Sequence, residues 1–211
     1  MSFEQHLAEC GLIAILRGIT PVEAVEVGGV LFDAGIRVVE VPLNSPDPFA
    51  SIAKLAAAFA GRMTVGAGTV LDPADINLLK THHGEIAVSP DCNPAVIARA
   101  KDAGLVPIPG VFTPTEAFAA VRAGATHLKL FPAEAASPAT VKAWKAVLPR
   151  HVKLFAVGGI TPGNMQDWAA AGADGFGIGS NIYKRSMSTG EIGKAASAFV
   201  EAWRGIKRNG S

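Results

Sequence analysis

Short apolar runs, many of them β-branched, alternate with Ala-rich helical stretches from one end of the chain to the other. Eight runs read as strands: LIAILRG from Leu12, IRVVEVPLN from Ile36, MTVGAGTV from Met63, EIAVSP from Glu85, LVPIPGV from Leu105, HLKLFP from His127, VKLFAVGG from Val152 and GFGIGSNIY from Gly175. Consecutive apolar positions of this kind suit strands covered on both faces, as in a parallel sheet. The seven stretches between them, such as NPAVIARAKDAG, TPTEAFAAVRAG and SPATVKAWKAVLP, carry helix signals. Nearly all open on Ser, Thr, Asp or Asn followed by Pro, an N-cap with proline at the first helical position. Several close on Ala-Gly, at Gly35, Gly104, Gly124 and Gly172, as expected of a left-handed C-cap ahead of a strand, and Gly84 ends another.

Those glycines keep a period. Gly84, Gly104 and Gly124 are 20 residues apart, and Gly172 follows Gly124 by 48, two units of 24. A βα unit of this length repeated eight times predicts a (β/α)8 TIM barrel, one domain over residues 1–211 with a short helix ahead of the first strand. A doubly wound open sheet is the alternative, because local pattern does not show closure; the count of eight favours the barrel.

Composition narrows the setting. With 49% hydrophobic and 18% charged residues, the 211-residue chain is of the globular class and long enough to bury a large core. Nineteen basic against 18 acidic residues leave a formal charge of +1, so no net field draws nucleic acid or an anionic membrane, and an anionic ligand must be held by local groups. Cys10 and Cys92 fit neither a disulfide framework nor zinc-ligand spacing. Neither a signal-peptide pattern nor a membrane-length apolar segment is present, so a soluble, cytoplasmic protein is expected. The Asn-Gly-Ser at 209–211 matches a glycosylation sequon, which carries no weight without a secretion signal.

Two charges break the apolar pattern. Along THLKLFP the two-residue period puts His127, Lys129 and Phe131 on one face and Leu128 and Leu130 on the other; the leucines suit the helix side, so Lys129 points into the barrel. A lone strand lysine more often snorkels to solvent or sits in an ion pair. Glu40, however, lies in an equally apolar strand on the face of Val38 and Pro42, and both charges fall near the carboxyl ends of their strands, where barrel enzymes build their sites. A buried lysine has a lowered pKa and can act as an amine nucleophile, with a carboxylate moving protons around the adduct. The pair points to Schiff-base chemistry on a carbonyl compound.

The flanking motifs concern anions. AVGGITP places Gly158 and Gly159 between a strand and a helix start, and GIGSNIY places Gly179 and Ser180 at the end of the last strand, the loops in which barrels commonly hold phosphate. Arg17, after strand one, can grip a carboxylate through paired hydrogen bonds, and Thr69, after a Gly-Ala-Gly bend, can add another. His82 and His83 suit a helix C-terminus, His127 lies away from the active end, Cys92 lacks an activating neighbour, and Trp144, Trp168 and Trp203 fall on helices as core or interface residues.

AILRG, EVPLNSP, VGAGTVL, VSP, LKLFPAE, AVGGITP and GIGSNIY together make the chain similar, over nearly its whole length, to the class I aldolases that cleave 2-keto-3-deoxy-6-phospho sugar acids. The resemblance implies a barrel, usually a homotrimer, with no metal or organic cofactor. It implies Lys129 as the Schiff-base lysine and Glu40 as proton donor and acceptor. It further implies Arg17 and Thr69 at the carboxylate of the pyruvate end, phosphate on the Gly158, Gly159, Gly179 and Ser180 loops, and reversible cleavage to pyruvate and glyceraldehyde 3-phosphate. A phosphosugar-binding barrel without catalysis would keep the glycine loops but would not need both Lys129 and Glu40; an acid/base epimerase or synthase would place its lysine differently. Gluconate-type relatives tend to carry arginine at the position of Asn44 and threonine at that of Val157. Those departures lead to the expectation of a galactonate-type substrate over its gluconate C4 epimer, the latter remaining the alternative.

Overall fold

The computed structural model describes residues 2–209, so Gly210 and Ser211 of the sequon lie outside the described residues. The chain opens with α1 (Phe3–Glu9), capped by Ser2, whose Oγ accepts from Gln5 N while the Gln5 side chain accepts from Ser2 N. There follow β1 (Leu12–Ile15), α2 (Ala24–Ala34), β2 (Val38–Pro42), α3 (Pro48–Ala58), β3 (Thr64–Gly68), α4 (Asp75–Thr81), β4 (Ile86–Val88) and α5 (Pro94–Asp102). The second half runs through β5 (Val106–Ile108), β6 (Gly110–Val111), α6 (Pro114–Arg122), β7 (His127–Leu130), a 3-10 turn (Ala133–Ala135), α7 (Pro138–Lys145), β8 (Lys153–Val157), α8 (Met165–Ala170), β9 (Gly175–Ile178) and α9 (Thr189–Asn209).

Every strand pairing is parallel, in the order β5-β4-β3-β2-β1-β9-β8-β7-β6. β5 and β6 are two pieces of the single run LVPIPGV, parted at Pro109, which has no N–H to give to a ladder. The first piece pairs with β4 and the second with β7, so one run joins the two ends of the sheet and the eight expected runs curl into a barrel. Pro109 still accepts from Lys129 N at 2.9 Å.

The punctuation works largely as the residues suggest. Gly35, Gly104, Gly124 and Gly172 all have positive φ, at 108°, 74°, 101° and 107°. Gly84 is different: His83 takes the left-handed conformation, and Gly84 is small because a Cβ there would lie 2.1 Å from Leu79 Cδ1. Asn93 and Thr113 cap α5 and α6. α2 and α8 start later than Thr20-Pro21 and Thr161-Pro162 suggest, because Glu23 and Asn164 take the threonine N–H groups into a turn first. α9 has no Ser-Pro start; Ser188 and Glu191 form its opening box, and it packs along α2.

Alternate strand residues feed two cores. Leu128 and Leu130 join the large cluster between sheet and helices, while Ile13, Val38, Ile86, Val88, Ile108, Phe155 and Val157 fill the barrel with Phe3 and Leu7 of α1. Among the described residues no helix is long and apolar enough to cross a membrane.

Candidate active site

Glu40 on β2 and Lys129 on β7 are the charged residues set into the barrel interior, 2% and 7% exposed. Both line a small apolar chamber with Ile13, Val88, Ile108 and Phe155. Burial raises the Glu40 carboxyl to about 7, against the opposing pull of Lys129 and then Arg17. Burial also lowers the Lys129 ammonium, opposed by Glu40 and assisted by Arg17. The two shifts have one physical origin, the loss of hydration by a charge among apolar side chains. Burial thus favours the neutral amine of Lys129 and the protonated carboxyl of Glu40, the forms a nucleophile and a proton donor need. Lys129 Nζ lies 4.5 Å from the centroid of the Phe131 ring, whose face favours the charged form of an adduct.

Gly68, the last residue of β3, makes room for the carboxylate: a Cβ there would stand 1.8 Å from Glu40 Oε2. Beside it Thr69 has φ 56°, a left-handed conformation that costs a β-branched residue energy and that functional sites commonly retain. Thr69 is half-buried and lines neither the chamber nor the cavity above it.

That cavity, of about 470 Å³, shares Ile15, Val157 and Gly177 with the chamber and brings Arg17, Gly158, Gly159, Gly179 and Ser180 together. Gly158 and Gly159 both take positive φ, 110° and 67°, turning the backbone after β8 at the cavity wall. Asn181 Nδ2 donates to Ile160 O at 2.8 Å and ties the two glycine loops to each other. At the rim, Arg17 Nη1 donates to Asn44 Oδ1 at 2.8 Å and Gly18 N to Ser45 Oγ at 2.9 Å.

The cavity also holds residues the sequence reading passed over: Glu134, Asn181, Tyr183, Lys184 and Arg185. Glu134, Asn181 and Tyr183 lie within the marked motifs LKLFPAE and GIGSNIY without having been given a role, and Lys184 and Arg185 directly follow the second; that Lys-Arg pair is the signal that could have found the cationic wall. Other candidates sit elsewhere. His127 packs edge-on against Phe3 at the amino end and faces Glu4 at 3.0 Å; His82 binds Leu78 O at the end of α4. The Cys92 thiol donates to Glu116 O, and burial raises its pKa. Trp144, Trp168 and Trp203 are buried in the outer core. Among the described residues no group of three or more His, Cys, Asp or Glu side chains is placed to hold a metal ion.

The chain is 46% identical over 193 residues to the 2-dehydro-3-deoxy-6-phosphogalactonate aldolase of Escherichia coli (strain K12), covering 92% of this chain and 94% of that one. To the KHG/KDPG aldolase of the same organism it is 32% identical over 152 residues, covering 70% and 68%. A solved structure described as native KDPGal superposes with a TM-score of 0.92 at 45% identity, over 93% of this chain and 96% of that chain. The family of KDPG and KHG aldolases matches residues 3–196, from the first helix to the last, and the chain belongs to that family.

Proposed function

We propose that the chain is a Schiff-base aldolase that reversibly cleaves 2-dehydro-3-deoxy-6-phosphogalactonate to pyruvate and glyceraldehyde 3-phosphate, with Lys129 and Glu40 as its catalytic residues. The observation that carries the chemistry is the apolar chamber holding one amine and one carboxyl, where burial disfavours the charged form of both. Neutral Lys129 attacks the C2 ketone, and loss of water leaves a protonated imine. The C3–C4 bond then breaks, its electrons passing to the imine to give an enamine, while Glu40 takes the proton of the C4 hydroxyl, directly or through a water. Proton return to C3 and hydrolysis release pyruvate and restore the lysine. Arg17 at the rim receives the substrate carboxylate; Thr69, half-buried outside the lining of both chamber and cavity, joins it only if its loop shifts on binding. The loops at Gly158, Gly159, Gly179 and Ser180 receive the phosphate, which positions the chain and raises effective concentration without breaking bonds.

The substrate assignment is supported by the greater likeness to the galactonate-type enzyme than to the KHG/KDPG enzyme of one organism. It is supported also by Val157, which lines both chamber and cavity and offers no hydrogen bond where a threonine would. One missing hydrogen bond discriminates by about 1 to 3 kcal/mol. We extend the reading to a homotrimer, as membership of the family implies; a solution mass other than that of three chains would remove that part.

The test has two arms. Pyruvate and borohydride should fix one adduct, at Lys129; an unmodified Lys129 peptide sinks the mechanism. kcat/KM should favour the galactonate-type phosphate over its C4 epimer, with the ratio narrowed in Val157→Thr. An equal or reversed preference in the unaltered enzyme sinks the substrate assignment alone.

A further inference from the structure

We propose that Asn44 is a positioning residue for Arg17, holding the guanidinium at the mouth of the site, turned towards the incoming carboxylate and away from Glu40; this rests on the aldolase reading above. Arg17 follows β1 as an exposed side chain between buried Leu16 and half-buried Gly18, and an unheld arginine there has several rotatable bonds to freeze on each binding event. Glu40 lies within its electrostatic reach. The charged groups acting on that carboxylate are Lys129 from β7 and Arg17 itself, and Gly68 at the end of β3 lies against it without a side chain. Left free, Arg17 would gain by closing on Glu40, which would hold the carboxylate ionised and spend the cation meant for the substrate.

The hydrogen bond from Nη1 to Asn44 Oδ1, at 2.8 Å, prevents both outcomes. An amide oxygen accepts without carrying charge, so it orients the guanidinium and leaves it a full cation. One of five N–H donors is used, and the remaining ones keep the fork that fits a carboxylate.

The brace stands on fixed ground. Leu43 N donates to Gly68 O at 2.8 Å and Ser45 N to Pro42 O at 2.9 Å, so the segment carrying Asn44 is tied to the ends of β3 and β2. Buried Ser45 accepts from Gly18 N at 2.9 Å, and Leu16 N donates to Glu40 O at 2.9 Å. The backbone on both sides of Arg17 is therefore locked to β2 and its loop, and the side chain is locked by Asn44.

The experiment makes Asn44→Ala, Arg17→Ala and the double variant, and measures the pyruvate concentration for half-maximal borohydride trapping at Lys129 and the KM for glyceraldehyde 3-phosphate in the condensation direction. In Asn44→Ala the pyruvate value should rise by about 5- to 10-fold, the size of one hydrogen bond, with KM for the aldehyde and Tm unchanged. The acid limb of the trapping rate should move to lower pH as Arg17 falls onto Glu40. Added to Arg17→Ala, Asn44→Ala should change nothing further, because it acts through that side chain. An unchanged pyruvate value, an equal rise for both substrates, or additive effects in the double variant would each overturn the role. Should the unaltered enzyme form no pyruvate adduct, the aldolase reading falls with it; if it does and Asn44→Ala behaves like it, only the brace falls.

Discussion

Glu40 and Lys129 announce themselves by breaking an apolar strand, but the seat of Glu40 does not. Gly68 belongs to a Gly-Ala-Gly bend that reads as a turn device, and nothing in its own neighbourhood says that a carboxylate from the adjacent strand fills the place of its missing side chain. In Gly68→Ala the methyl group must push Glu40 aside, at a strain cost of about 1 to 3 kcal/mol. Turnover should fall by about 10²-fold or more, the range for losing an acid/base group, while pyruvate trapping at Lys129 continues slowly. Full turnover in Gly68→Ala would mean that the carboxylate does not work from this position. The residues gathered around the cavity divide the same way: Arg17, Gly158, Gly159, Gly179 and Ser180 were legible because residue type and strand end coincide. Asn44 was legible only as a departure from relatives, and its bond to Arg17 joins loops 27 positions apart.

At the level of elements, α1 was expected as a short leading helix, whereas its task is visible only in three dimensions. Phe3 and Leu7 close the amino end of the barrel, His6 Nδ1 pairs with Thr64 Oγ1 at 2.9 Å, and Glu4 bridges His127 and Lys153. Burial lowers both imidazoles below 6.5. For His127, Glu4 and Asp174 oppose the shift and Lys153 adds to it; for His6, Glu9 opposes and Arg37 adds. The unfolded chain therefore binds protons near pH 6.5 that the folded chain refuses, so this stability is complete above that pH and is lost as the pH falls through it. Glu4 adds to the loss at lower pH: burial alone would raise its carboxyl, but Lys153 and His127 hold it below 4.5. Glu40, raised to about 7 by burial, works in the opposite direction over the same window, so the histidines are read as a difference: on acidification from about pH 7.5 to about pH 5 a variant with His6→Gln and His127→Gln should lose less Tm, or gain more, than the unaltered chain. Parallel slopes would place the acid sensitivity elsewhere.

Across the whole molecule the barrel could be read from sequence because proline opens and glycine closes so many of its repeats. α9 escaped because its Ser188 start lacks the proline, and the parting of LVPIPGV into two pieces escaped because closure is not a local property. Sealed below by Phe3 and Leu7, the Lys129 chamber communicates with the exterior through the cavity above it. A blind shaft imposes a queue. On the mechanism proposed above, the three-carbon fragment bonded at the bottom cannot leave past the phosphorylated fragment standing over it, so glyceraldehyde 3-phosphate should depart first and pyruvate last. Product inhibition would record that order: pyruvate, which meets the empty enzyme, should compete with the sugar acid, and glyceraldehyde 3-phosphate should inhibit noncompetitively. Competition by both products would mean a second exit from the barrel.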